Sequence, residues 1–324
     1  ESFWRLLEIA IRFHDAGKAY TPFQNKIRKA LGYPELKTSC EDIPHNYLSV
    51  SLIPHRQLGL TSDERFLIVD AVGFHHERDN PPDAEQIKQA YEEDLKKQLN
   101  AIYEHLGLPY ATEDRPDRLI FALHANRKQI SQSKLQGNRE LWRKHVLLKG
   151  FLHRLDHAAS AGVPVEEGMD ESLGARTFAF LNQKFGGLRP AQQFAMNHRD
   201  RHVIMTASTG IGKTESALLW LDKEKGFFTL PLRVSLNAMF KRITSREGIG
   251  MESAGLLHSG SYDFLVSEEY SDYDRTYAYS KQLACKLTLS TIDQILKFPF
   301  LYRGFEKELS TMSYSKVVID EIQA

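Results

Sequence analysis

The 324-residue sequence predicts a multidomain fold in which an all-α first half is followed by an α/β second half with a parallel sheet. Two observations support this division. Apolar residues recur at helical spacing up to about residue 161, whereas from residue 188 onward short apolar runs alternate with helical patterns. We therefore predict one domain over residues 1–162, a linker over 163–187 that carries a short helix, and a second domain over 188–324.

Four stretches of the first half carry the apolar stripe of an amphipathic helix, and each is followed by residues that favour a helix end. They run from Trp4 to Phe13 before Gly17, from Phe66 to Phe74 before a pair of prolines, from Tyr91 to Ile102 before Gly107, and from Leu141 to Leu155 before Gly162. These stretches predict an almost entirely helical domain.

Five apolar runs bounded by turn residues predict the buried parallel strands of the second half. They read HVIMTA (202–207), GFFTLP (226–231), AGLLHS (254–259), KLTLST (286–291) and KVVIDE (316–321). The acidic, tyrosine-rich segment 262–282 interrupts this rhythm, and we predict that it is a poorly ordered surface insertion.

Composition excludes several classes of protein. The 42 basic residues balance the 42 acidic ones, so no global charge attracts the chain to nucleic acid or to lipid, although a local groove could still be basic. Two cysteines cannot form a disulfide framework, and we expect a cytoplasmic protein. No apolar run reaches the roughly 18 residues that span a bilayer, so we expect no membrane partner.

A glycine-rich loop between a predicted strand and a predicted helix indicates a phosphate-binding site. In TASTGIGKTESALL (206–219), Gly210 and Gly212 let backbone N–H groups approach phosphate oxygens, and Thr209 lies in the same loop. Lys213 is predicted to reach the β- and γ-phosphates of ATP, and the Thr214 hydroxyl to bind Mg²⁺. The alternative is a glycine-rich turn that binds no nucleotide.

The run VVIDEIQA (317–324) supplies the second element that ATP hydrolysis needs. Asp320 and Glu321 follow a predicted strand about a hundred residues after the loop. We predict that Asp320 holds Mg²⁺ and that Glu321 orients or deprotonates the attacking water.

Further motifs resemble those of superfamily 2 helicases, whose first lobe is RecA-like. The loop has Ala207 where the general pattern has glycine, as that superfamily does. In LRPAQQ (188–193), the resemblance makes Gln192 the adenine reader. In LPLRVSLNAMFKRI (230–243) and LSTIDQIL (289–296), it assigns Arg233 and Thr291 to nucleic-acid binding. The alternatives are a solvated cation for Arg233 and a helix N-cap for Thr291.

The adjacent His14 and Asp15 raise the question of a metal site. Neighbours on a helix point about 100° apart, so they suit two ions, with the aspartate bridging, better than one ion. Such a site needs ligands from distant helices, and four candidates follow in the order His45, His75, His76 and Asp156. Taken singly, a histidine is more often structural.

The whole chain resembles the CRISPR-associated nuclease–helicase of type I interference (the Cas-three family), in which an HD nuclease domain precedes a helicase lobe. The resemblance rests on FHDAGKAYTPFQ, PHNYLS, GFHHE, LDHAAS and the final DEIQA. It implies two divalent transition-metal ions such as Mn, Fe, Co or Ni. The resemblance assigns Asp156, His14 and a bridging Asp15 to one ion, and His45, His75 and His76 to the other.

The resemblance also implies the activity. Lys18 would stabilise charge at the scissile phosphate, with a solvated lysine as the alternative. The protein would cleave single-stranded DNA at the HD site, use ATP and Mg to translocate, and act on target DNA with the crRNA-guided Cascade complex. Two other interpretations stay open, an HD phosphohydrolase and a nucleic-acid-binding ATP switch with a degenerate HD site.

The family pattern has a histidine upstream of His14 and a second helicase lobe, and this sequence contains neither. We therefore expect a chain truncated before Glu1 and after the second ATPase motif. Without the arginine finger of the second lobe, hydrolysis by this part alone is expected to be weak.

Overall fold

The computed structural model describes residues 2–76, 82–109, 119–120, 123, 137–168, 172–208, 210–296, 298–300 and 302–322. The chain forms two compact units, Glu1–His153 and Arg154–Ala324. The linker and domain boundaries drawn from the sequence stay a prediction.

The described part of the first unit is helical, as the sequence predicts. A 3₁₀ turn, Ala16–Ala19, follows the first helix, and a π-helical turn, Tyr91–Leu95, connects two others. The α-helices are α1 (Ser2–Phe13), α2 (Thr21–Ala30), α3 (His45–Ser51), α4 (Ser62–Gly73), α5 (Ala84–Ala90), α6 (Lys96–His105) and α7 (Arg139–Ser160), which continues past His153.

Two of these helices end where the histidine motifs begin. Helix α1 buries an apolar stripe that finishes with Phe13, which is fully buried and fixes the start of the His-Asp turn. Helix α4 starts at a capping box, in which Thr61 and Glu64 exchange side-chain-to-backbone hydrogen bonds. Its buried end leads directly into His75 and His76.

The second unit contains a four-stranded parallel sheet in the order β2-β3-β1-β4. In register, Gly226 of the central strand lies beside Leu287 on one side and Lys316 on the other. The strands are β1 (Gly226–Thr229), β2 (Ala254–Leu257), β3 (Leu287–Ser290) and β4 (Lys316–Ile319). Four of the five predicted strands are therefore confirmed.

Helices cover this sheet, and its largest apolar core joins Phe228, Leu256 and Leu289 to Leu218 and Phe240. The helices are α8 (Leu173–Phe185), α9 (Pro190–Asn197), α10 (Lys213–Leu221), α11 (Arg233–Thr244), α12 (Ser261–Ser267), α13 (Tyr273–Lys281), α14 (Ile292–Ile295) and α15 (Phe305–Met312). A 3₁₀ turn spans Phe298–Phe300.

The structure corrects two predictions about this unit. Residues 202–207, predicted as the strand HVIMTA, have no regular structure, and Ile204 is 99% exposed. An apolar run alone does not provide a neighbouring strand edge, and strand formation needs one. The segment 262–282, predicted as a poorly ordered insertion, lies largely in α12 and α13, because Leu265 and Ser280 are buried and Tyr270 and Tyr277 pack on the core.

Among the described helices, none is both long and apolar enough to cross a membrane.

Candidate functional site

The His-Asp turn follows directly after α1. The Nδ1 atom of His14 lies 2.7 Å from the carbonyl oxygen of Ile11, and its Nε2 lies 3.4 Å from Oδ2 of Asp15. Asp15 is the N-cap residue of the 3₁₀ turn. The last turn of the helix therefore orients the His14 ring so that Nε2 faces the neighbouring carboxylate.

Two histidines from other parts of the chain, one on α3 and one just beyond the end of α4, point at the same carboxylate. The Nε2 atom of His45, the first residue of α3, lies 3.1 Å from Oδ1 of Asp15, and the Nε2 atom of His75 lies 3.9 Å from it. The Nδ1 atom of His75 lies 2.6 Å from the carbonyl oxygen of Val72. A backbone bond of this kind fixes the ring and leaves Nε2 free to act as a metal ligand.

The predicted ligands form two potential metal-binding groups. His45, His75 and His76 make up the first, and His14, Asp15 and Asp156, near the end of the unbroken helix α7, make up the second. In each group the ligand atoms lie within 4.8 Å of one another. The sequence order HD, H, HH and D thus corresponds to side chains brought together in space.

The residues present fit a cation. Among the residues that the structure describes, Oδ1 of Asp15, Nε2 of His45 and Nε2 of His75 are buried and make no hydrogen bond. Leaving a buried polar atom without a partner costs about 1–3 kcal/mol, so three such atoms facing one another need an explanation. A divalent ion would satisfy all three, and mixed imidazole and carboxylate ligands favour transition metals over Mg²⁺.

The surroundings of Asp15 and His75 favour the protonation states that metal binding needs. Burial opposes ionisation of Asp15, but the side chains of His45 and Lys18 and the charge of His14 outweigh it and hold the pKa of the carboxyl far below its usual range. Burial, and secondarily the neighbouring histidines, lowers the pKa of His75 to about 3. At neutral pH the site therefore offers a carboxylate and a neutral imidazole, the forms that bind metals.

Lys18 lies at the rim of this group. Its Nζ is 2.6 Å from Oδ2 of Asp15 and 5.9 Å from the centre of the Phe23 ring, and its side chain is 39% exposed. The cation is therefore available both to the carboxylate and to an anion that approaches from solvent.

Three residues that support the ligands were missed by the sequence reasoning. Ser49 and Asn46 lie fully buried on α3, and Nδ2 of Asn46 donates to the carbonyl oxygens of Gly73 and His76 at 2.5 and 3.4 Å. The sequence pattern predicts only a helix stop at Gly17. A Cβ there would lie 2.1 Å from the carbonyl oxygen of His45, so the residue is needed for close approach of the turn to α3. One signal was available, because a serine four residues after a histidine on a helix places its hydroxyl near the histidine carbonyl.

The low pKa of His75 predicts how the stability of the metal-free protein depends on pH. Above about pH 6.5 His75 is neutral in both the folded and unfolded states, so its protonation does not change the free energy of unfolding. Between pH 6.5 and about 3 the unfolded chain binds a proton that the folded chain excludes, so the free energy of unfolding falls by up to about 1.4 kcal/mol per pH unit.

Urea titrations of the metal-stripped protein across this pH range would measure that loss. His75→Asn should flatten the profile relative to the native chain. Equal slopes for the two proteins would contradict the assignment of a buried neutral imidazole.

The predicted phosphate loop lies in the second unit, where α10 begins at Lys213. Gly210 and Gly212 adopt positive φ angles of 81° and 93°, which glycine favours and which loops that wrap an anion commonly require. Thr214 is the second residue of the helix, and Thr209 lies outside the described residues. The helix start and the glycine conformations agree with the predicted loop.

A cavity of about 200 Å³ adjoins this loop. Lys213 lines it together with Asp320, which directly follows β4, and with the apolar side chains of Trp220 and Phe228. The backbone N–H of the exposed Glu321 donates to Oδ1 of Asp320 at 2.9 Å. The two motifs separated by about a hundred residues thus contribute to one cavity.

The other predicted residues of the second unit take varied positions. Gln192 is buried, accepts a bond from the backbone of Arg189 at 2.9 Å, and leaves no room for a side chain at Gly212. Arg233 starts α11 and donates to Oγ of Ser259 at 3.2 Å. Thr291 occupies the N-cap position of α14 without a side-chain cap bond. These positions leave their predicted roles untested.

Comparison with known proteins gives concordant matches. Residues 1–160 match the family described as Cas3, HD domain. The CRISPR-associated nuclease/helicase Cas3 of Methanothermobacter thermautotrophicus is 33% identical over 187 residues, which is 55% of this chain and 22% of that protein. The putative CRISPR-associated nuclease/helicase Cas3 of Methanocaldococcus jannaschii is 30% identical over 148 residues, 40% of this chain and 20% of the relative.

Solved structures match over a longer stretch. The crystal structure of T. fusca Cas3-ATP aligns over 98% of this chain and 40% of its own, with a TM-score of 0.51 and 21% identity. The crystal structure of T. fusca Cas3 gives the same TM-score and coverage at 18% identity. This likeness concerns the fold, and the chain spans well under half of every relative named here.

Proposed function

The chain belongs to the Cas3 family through its HD domain, and from that premise we propose a metal-dependent nuclease for single-stranded DNA, coupled to an ATP-driven superfamily 2 translocase. The nuclease–helicase class agrees with the names of the curated relatives. The metal dependence, the single-stranded substrate and the coupling to ATP are our inference.

The observation that carries the nuclease proposal is the convergence of Oδ1 of Asp15 and Nε2 of His45 and His75, buried and without hydrogen bonds among the described residues. We propose that His45, His75 and His76 would hold one divalent transition ion (Mn, Fe, Co or Ni) and that His14, Asp15 and Asp156 would hold another. The family resemblance implies that Asp15 would serve both ions. When bound, such ions polarise a phosphodiester and lower the pKa of water.

The protein's own groups would do the rest. The neutral imidazole of His75 and the ionised carboxylate of Asp15 are already in the protonation states that ligation needs. Lys18, held 2.6 Å from Asp15 and partly exposed, would place a positive charge beside the incoming phosphate. Phosphate oxygens gain negative charge during cleavage, so this cation would stabilise the transition state.

We further propose that the second unit is the RecA-like first lobe of a helicase. Lys213 would contact the β- and γ-phosphates of ATP, while Thr214 and Asp320 would hold Mg²⁺ and Glu321 would orient water. Gln192 and the loop residue Thr209 would complete the nucleotide site. The shared cavity of Lys213 and Asp320, and the glycine conformations beside it, support this assignment.

Arg233 and Thr291 are proposed to contact the nucleic-acid strand. Arg233 is the first residue of the helix that follows strand β1, and Thr291 is the N-cap of the helix that follows strand β3. On the family's association with CRISPR systems, we propose that the crRNA-guided Cascade complex delivers the target DNA. A cytoplasmic site of action is proposed from the two cysteines, Cys40 and Cys285, which are both unpaired.

The test uses the full-length protein with circular single-stranded DNA, Mn²⁺ and a metal chelator, with and without ATP. We expect cleavage of single-stranded DNA to require Mn²⁺. On a substrate prepared from double-stranded DNA, we expect cleavage to become processive when ATP is present. Hydrolysis of free nucleotides in place of DNA would favour an HD phosphohydrolase. ATP-dependent DNA binding without any cleavage would favour a switch with a degenerate HD site, and either outcome would overturn the nuclease proposal.

A further inference from the structure

The Ser49 hydroxyl lies at the contact between the His-Asp turn and helix α3. Its Oγ accepts a hydrogen bond from the backbone N–H of Gly17 at 2.8 Å. The same oxygen lies 2.7 Å from the carbonyl oxygen of His14 and 2.9 Å from that of His45, to either of which it donates. One buried hydroxyl therefore touches the backbone of two predicted ligands and of the turn that carries Asp15.

This arrangement differs from that of an ordinary helix serine. A serine inside a helix usually satisfies its hydroxyl on a carbonyl of the preceding turn of the same helix. Ser51 on the same helix does so, because its Oγ donates to the carbonyl oxygen of Leu48 at 2.7 Å. Ser49 also lies within hydrogen-bond distance of the carbonyl one turn back, that of His45, but its Oγ contacts in addition the backbone of His14 and Gly17, which precede it by more than thirty residues.

The turn and helix α3 approach each other closely at this contact. A Cβ on Gly17 would lie 2.1 Å from the carbonyl oxygen of His45 and 2.9 Å from Oγ of Ser49, so only glycine allows the turn to approach this closely. The Asp15 carboxylate and the His45 ring extend from the two backbones that the hydroxyl joins. The 3.1 Å separation of Oδ1 and Nε2 consequently depends on the register of the turn against α3.

We propose that Ser49 is a positioning residue for the metal centre, and that its hydroxyl sets the distance between the Asp15 turn and His45. The inference rests on the proposed metal site and deepens it. Ser49 does not ligate the ion, and its effect passes through the backbone. Residues that orient metal ligands commonly change metal affinity about 10–100-fold when they are removed.

The experiment measures Mn²⁺ affinity by isothermal titration calorimetry of the metal-stripped full-length protein, with a thermal melt of each metal-free variant. We expect Ser49→Ala to weaken Mn²⁺ binding about tenfold or more. Ser51→Ala is the matched control, because it removes a buried hydroxyl from the same helix whose bond stays within that helix. It should bind Mn²⁺ within about twofold of the native protein even if its melting temperature falls.

Ser49→Thr and Ser49→Val provide a second comparison in case the alanine variant does not fold, because their volumes are equal and they differ in the hydroxyl. Threonine is expected to keep tighter Mn²⁺ binding than valine. Equal affinities for native protein and Ser49→Ala, or an equal loss in Ser51→Ala, would overturn the positioning role while leaving the metal site intact. Absence of Mn²⁺ binding by the native protein would instead overturn the proposed metal site.

Discussion

Replacing Asp15 with alanine is expected to abolish Mn²⁺-dependent cleavage of single-stranded DNA by the full-length protein, with a loss of at least about 10³-fold in rate. The carboxylate faces His45 and His75 with a buried oxygen that has no hydrogen bond among the described residues, and it is the member shared by both proposed ions. Metal stabilisation of transition-state charge is worth several kcal/mol, which corresponds to about this factor.

The measurement compares initial cleavage rates at saturating Mn²⁺ and, in parallel, ATP hydrolysis stimulated by DNA. ATP hydrolysis should stay near the native rate, because the loop around Lys213 belongs to the other compact unit. Asp42→Ala is the matched control, since Asp42 is an exposed carboxylate of the same unit that pairs with Lys26 at 2.6 Å. Cleavage by Asp15→Ala at the native rate would refute the assignment of the HD site.

Replacing Lys213 with alanine is expected to lower the rate of ATP hydrolysis by about 10²–10³-fold while leaving basal cleavage of single strands. Lys213 is the first residue of α10, it follows a glycine at a positive φ angle, and it lines the cavity that Asp320 also lines. Loss of one preorganised charge that stabilises a transferring phosphate typically costs this much.

Steady-state ATP hydrolysis and Mn²⁺-dependent nicking of circular single-stranded DNA would be measured on the same preparation. Lys223→Ala serves as the control, because Lys223 is exposed just beyond the end of the same helix. If Lys213→Ala hydrolysed ATP normally, the loop would be a glycine-rich turn and not a nucleotide site. If it lost basal nicking as well, the two activities would not be separable as proposed.

Sequence patterns predict the helical half, four of the parallel strands and the residues that make up the two candidate metal-binding groups. The candidate ligands could be singled out because their residue types are chemically specific. A His-Asp pair followed by His45, the doublet His75-His76 and Asp156 is informative even though these residues lie far apart in the sequence. Helical periodicity was equally informative, because burial of one face fixes it.

The remaining features depend on packing that no local pattern encodes. Residues 202–207 have a strand-like composition but lie outside the described sheet, whereas the polar segment 262–282 folds as helices because a few of its residues reach the core. The contact of Ser49 with Gly17 and His14 likewise joins segments more than thirty residues apart. At residues 202–207, in the segment 262–282 and at Ser49, tertiary contacts decide the structure and local propensity does not.

We propose that the His-Asp turn, the first residue of α3 and the histidines just beyond the end of α4 form a metal centre. Anomalous diffraction at the manganese edge from crystals of the full-length protein soaked in Mn²⁺ tests it most directly. We expect two peaks per chain, one among His45, His75 and His76 and one beside His14 and Asp15. Crystals with no peak at these side chains, in Mn²⁺ sufficient to support cleavage, would contradict it.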